Sequence, residues 1–152
     1  LLKQFNSITD PKQSSVWEYV PELSVMEDFM KLSVQERNRM AYRRFSFINT
    51  GMNSGGEFEM FRKKGKELDK KRGVSYHVAV FRNIFGGKDA DYLTVLIDKT
   101  RMDYMNNFIN RMDKRRKAKD WETNRNRWDL TKYNTVKTEE VYKNLDFIIS
   151  SD

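Results

Sequence analysis

The chain has no cysteine, only two prolines and a single histidine among its 152 residues. The missing thiols exclude disulfides, thiolate metal sites and cysteine nucleophiles. One histidine leaves any zinc or iron site to carboxylates around a lone imidazole, an uncommon ligand set. Asp89-x-Asp91 is too sparse for a calcium loop. No metal and no cofactor is expected. No apolar run approaches the ~20 residues that cross a bilayer, so no membrane partner is expected either. The start, LLKQFNS, shows neither an initiator methionine nor the pattern of a secretory leader, which leaves localisation unread. Gly-x-Ser-x-Gly is absent, and GMNSGGE lacks the Lys-Ser/Thr ending of a phosphate loop, so it reads as a helix cap.

Twenty aromatic residues (10 Phe, 7 Tyr, 3 Trp) argue for a folded core, and the length suits one domain. The net charge of +7 concentrates in 62–72 (RKKGKELDKKR) and 111–119 (RMDKRRKAK), both inside helical patterns. A charged run on a helix reads first as its solvated face.

Alternation in MAYRRFSFIN (40–49) predicts a strand, and Phe58, Phe61, Gly65 and Leu68 predict a helix that stops at Gly73. Asn53 or Ser54 can cap that helix. VSYHVAVFRNIF (74–85) and YLTVLI (92–97) predict a hairpin, followed by a helix after Lys99-Thr100. Met102, Met105, Phe108, Ile109 and Met112 form one stripe of that helix, read as core filler. Residues 140–149 (EVYKNLDFII) predict the last strand. The order β-α-β-β-α-β implies an α+β, ferredoxin-like domain over 40–150, with an antiparallel four-stranded sheet and both helices on one face.

LKQFNSI (2–8) is echoed by LTKYNTV (130–136) at an offset of 128 residues. Val16, Trp17, Val20 and Leu23 are echoed by Val141, Tyr142, Leu145 and Ile148 at an offset of 125. Residues 1–24 are therefore expected to be the tail of a preceding repeat, with a strand near 15–23 and a linker over 25–39. Strand 74–85 is apolar on both parities, so its second face also wants cover. A homodimer packing two sheets face to face would supply it.

Residues 44–108, RFSFINTG…GGEFEMFRKKGKELDKKRGVSYHVAVFRNIFGG…DYLTVLIDKTRMDYMNNF, resemble the dimeric α+β barrel superfamily, which includes antibiotic-biosynthesis monooxygenase-like, stress-responsive and NIPSNAP-like domains. The resemblance implies a homodimeric barrel that binds a small aromatic or anionic molecule, with oxygenase-like chemistry among the family's activities. Haem-degrading relatives use Asn, His and Trp, residue types present here as Asn83, His77 and Trp121, with no motif that fixes a correspondence. Trp121 and Trp128 lie seven apart and would share a helix face that could roof a pocket. Arg43 and Arg44 point to opposite sides of their strand, and an inward Arg43 or Arg82 needs a carboxylate (Asp91, Asp98 or Asp146) or an anionic ligand. The pocket candidates are thus His77, Asn83, Arg82, Arg43, Trp121 and Trp128. RNA binding and a purely structural dimerisation module are the alternatives. DYLTVLID offers one aromatic and two acids where an RNA-recognition sheet needs stacking aromatics, so nucleic acid is not expected.

Overall fold

The computed structural model describes residues 3–6, 14–51, 54–86, 90–122 and 133–142. Six strands form one antiparallel sheet: β1 (Lys3–Asn6), β2 (Ser14–Tyr19), β3 (Tyr42–Asn49), β4 (His77–Phe85), β5 (Tyr92–Asp98) and β6 (Asn134–Tyr142). Their order across the sheet is β1-β2-β4-β5-β3-β6. Two short helices, α1 (Glu27–Lys31) and α2 (Val34–Arg39), precede β3. Two longer ones, α3 (Gly55–Lys71) and α4 (Arg101–Lys117), follow β3 and β5. The architecture is α+β.

The local signals explain most boundaries. Gly73 follows α3 with φ +63°, a conformation only glycine adopts without strain, so the helix ends there. Thr100 caps α4 by accepting from the Asp103 backbone N–H at 3.1 Å. Ser54 precedes α3 but makes no side-chain cap bond, and Asn53 lies outside the described residues. The expected linker over 25–39 carries α1 and α2, and α2 starts at a capping box between Ser33 and Glu36.

Both faces of the sheet are occupied. Phe58 of α3 packs on Tyr92 and Val80, while Tyr104 of α4 packs on Tyr42, all on the face that also carries Asp98. The opposite parity forms a second core of Trp17, Ala79, Phe81, Leu93, Val95 and Ile97, each under 9% exposed in the single chain. Met26, Phe29 and Leu32 pack over it from α1 and its flanks. The face expected to await a partner is thus buried by the chain's own segment 26–32.

The N-terminal strand also finds its partner within the chain. β2 pairs with β4 (Glu18 opposite Arg82, Tyr19 opposite Phe81), with a bulge between Val16 and Trp17. Val20 N–H then donates to the Val80 carbonyl at 2.9 Å. The similar stretch near the other end takes the opposite edge, with Val141 across from Arg43 and Tyr142 across from Tyr42. Two versions of one strand therefore flank the three central strands β4-β5-β3, with β1 outside β2.

Two expectations need correction. The last strand lies at 134–142, shifted from the expected 140–149, and 143–149 fall outside the described residues. β6 borders β3 alone, so backbone pairing holds it while Thr135, Lys137 and Thr138 stay exposed, and apolar alternation is a poor guide there. The methionine stripe is also on the outside: Met102 is 69% exposed, Met105 41%, Phe108 41% and Ile109 53%. α4 instead turns Tyr104 and Arg111 inward, where Tyr104 packs on Tyr42 of β3 and Arg111 lies over the Tyr76 ring.

Candidate functional site

The six residues expected to line a pocket do not converge on one place. Arg43 and His77 both lie opposite Ile97 of β5, so they flank it on the face covered by Phe29. Asn83 is on the same face at the far end of β4, opposite Trp17, where its Nδ2 donates to the Ala90 carbonyl at 2.9 Å. Arg82 is on the other face, under α3. Trp121 follows α4, its N–H donating to the Ala118 carbonyl at 3.0 Å, away from the other candidates. Trp128 lies outside the described residues.

The helix-free face combines aromatic rings with a few polar groups. Trp17 meets Phe47 edge-on at 6.1 Å, and Phe29 meets the His77 ring at 5.6 Å. His77 Nδ1 is buried and has no hydrogen-bond partner among the described residues. Burial lowers the His77 pKa, partly opposed by Asp98 and Asp28, so the imidazole is neutral at neutral pH. Arg43 donates from Nη1 to the carbonyls of Tyr42 (3.0 Å) and Met40. It has no carboxylate partner among the described residues. An orphaned imidazole nitrogen and an arginine bonded only to carbonyls are groups a polar ligand can complete.

Arg82 is satisfied by different residues from those expected. Glu59 of α3 accepts from Nε at 3.1 Å and also from Nη2, and Glu18 accepts from Nη1 at 3.1 Å. Asp91 instead accepts from Thr50, and Asp98 from Asn107, because each is nearest a loop or helix donor rather than the arginines. The Tyr92 hydroxyl donates to Glu59 at 2.9 Å. Burial, with Glu59 beside it, pushes the Tyr92 hydroxyl up to about 12. Burial pushes the Glu59 carboxyl up, but the Arg82 and Tyr92 bonds outweigh it and hold it below 4.5. A cleft of about 310 Å³ opens beside this cluster, lined by Glu18, Glu22, Glu59, Lys63 and Arg82.

A depressed carboxyl stabilises fully above the ordinary value of 4.5 and loses that contribution as pH falls through the lower folded value. Urea melts from neutral pH down through that window are expected to show the loss, about 1–2 kcal/mol from this cluster. Glu59→Gln should be less stable at neutral pH and show a shallower acid dependence. An unchanged slope would sink the assignment.

Sequence reasoning missed a second cluster between α3 and α4. Asp69, 3% exposed, accepts from Arg115 Nε at 2.9 Å and from the Tyr76 hydroxyl at 3.0 Å. Arg62 and Arg72 share its side of α3, at positions 62, 69 and 72. The basic runs expected as solvated faces therefore split: Lys63, Lys70, Lys71, Lys114 and Lys117 are exposed, while Arg111 is buried and Arg62, Arg72 and Arg115 are half-buried in the seam. The one available signal was an aspartate embedded in ELDKKR.

Comparison of the chain with protein-family models, curated proteins and solved structures returns no match.

Proposed function

We propose that this chain is a ferredoxin-like domain that binds a small aromatic or anionic molecule against the sheet face carrying His77 and Arg43, beneath α1. The strands β6-β3-β5-β4 with α3 and α4 on one face support the architecture, since this is the order of the split βαβ arrangement. The ligand reading rests on one observation: His77 Nδ1 is buried and unpartnered within an aromatic layer. Arg43, across Ile97 from His77, suits a carboxylate or phenolate, and the Phe29 ring against His77 suits a planar body. α1 is the cover such a ligand would displace, since its Phe29 packs on the His77 ring and none of its five residues is fully buried. Oxygenase-like chemistry is the family's implication and would use this same face. The RNA-binding alternative is disfavoured because the sheet face it would need is buried under segment 26–32.

Titration calorimetry with 1-naphthoate, alongside native mass spectrometry for any co-purified mass, tests the reading. Saturable binding is expected, weakened about tenfold or more by His77→Ala and by Arg43→Gln. No binding of the probe and no co-purified mass would remove it. Sedimentation tests separately the dimer that the resemblance implies: the second face and the N-terminal strand both find cover within the chain, and a monomer at all concentrations would discard that part.

A further inference from the structure

Guanidinium groups outnumber carboxylates in the seam between α3 and α4. Arg62 and Arg72 come from α3 or its end, and Arg111 and Arg115 come from α4 one turn apart. Against these four stand Asp69, in the middle, and Asp120, an exposed rim residue that accepts from Arg72 Nη2 at 2.7 Å. Asp69 is already committed to Arg115 and Tyr76. Arg111 is 6% exposed, and its guanidinium lies over the rings of Tyr76 (5.1 Å) and Phe108 (5.8 Å) with no carboxylate partner among the described residues. Arg62 Nε, Arg72 Nε and Arg111 Nη1 are all buried without an acceptor.

A buried guanidinium without a counter-charge is costly, and stacking on an aromatic ring recovers only part of that cost. Several unspent buried donors carried by two helices suit one kind of ligand: a compact oxyanion with acceptors in several directions. Burial depresses both Arg62 and Arg111, consistent with a seam short of negative charge.

We infer that the α3–α4 seam is an oxyanion site of phosphate type, in which Arg111 and Arg62 hold the anion while Asp69 fixes Arg115 and Tyr76 beside it. The source is either free phosphate or the phosphate of a small phosphomonoester. The site lies across the sheet from His77 and Arg43 and does not depend on the ligand proposed there.

The full chain is titrated calorimetrically with inorganic phosphate and, separately, with phenyl phosphate, in chloride buffer of matched ionic strength. Saturable one-to-one binding is expected for at least one of the two. Binding of both means that the phosphate alone is recognised; binding of phenyl phosphate alone means that the site takes a phosphorylated organic molecule. Arg111→Gln and Arg62→Gln should each weaken binding about tenfold or more. His77→Ala and Arg43→Gln should leave it unchanged. Should Arg111→Gln not fold, Arg62→Lys, which keeps the charge and removes the planar fork, must still show the loss. Failure of both anions to bind in calorimetry and in ³¹P line-broadening overturns the inference, as does binding that survives the arginine substitutions.

Discussion

A chain shortened to residues 25–152 is expected to lose its cooperative unfolding transition. The deleted segment carries Trp17 (3% exposed), Val20 (6%) and Leu23 (0%), all buried against the sheet or α3. It also covers the β4 edge, and Ser24, at the junction, binds both strands: its hydroxyl donates to the Val20 carbonyl at 2.8 Å and accepts from Val80 N–H at 2.9 Å. Truncating one such leucine costs about 2–5 kcal/mol and one tryptophan about 3–5. Their sum rivals the ~5–15 kcal/mol that holds a whole domain together. Circular dichroism melts of the shortened chain should therefore show a broad transition or none. Leu23→Ala is the graded version, expected to lower stability by about 3 kcal/mol while the chain still folds. A shortened chain that melts like the full one would instead mark residues 1–24 as an accessory tail, as a remnant of a preceding repeat would be.

Asp69→Asn is expected to lower stability by about 3–5 kcal/mol, because it removes the buried carboxylate on which the half-buried Arg115 guanidinium rests. Asp69 is the sole carboxylate that Arg115 contacts among the described residues, and it also orders Tyr76, on whose ring Arg111 and Arg115 rest. For a chain of this size the loss corresponds to a melting point lower by about 6–20 °C. Scanning calorimetry in phosphate-free buffer measures it. A drop of less than about 1 kcal/mol would show that the seam does not rely on this pairing. The asparagine keeps shape and one acceptor, so a large effect reports charge rather than packing.

The elements were largely legible because their signals are local. Gly73 at the end of α3, Thr100 before α4 and the alternation through 40–49 each act within a few residues of where they sit. The first part of the strand expected near 15–23 could also be seen from its echo near the other end, although Pro21–Leu23 turn into a 3-10 helix. The methionine stripe of α4 was misleading for a physical reason. Periodicity shows that a helix has an apolar side but not which side turns inward, and here Tyr104 meets the sheet at Tyr42 while Arg111 and Arg115 turn to Tyr76 and Asp69. β6 was misplaced because an edge strand can be held by backbone bonds with little apolar patterning.

The candidate site was legible only in part. Arg43, His77 and Asn83 could be named, and strand parity alone puts all three on one face. Their partners could not be named, because Glu59 to Arg82 and Asp69 to Arg115 are contacts across 23 and 46 residues of chain. Composition and short-range pattern settle what chain statistics control: helix, strand, turn and the absence of thiol chemistry. Which edge the N-terminal strand takes, what covers the second face of the sheet and which arginines go without a carboxylate depend on distances between segments far apart in sequence. Those distances arise only when the whole sheet closes, and so the two candidate ligand sites belong to the folded chain.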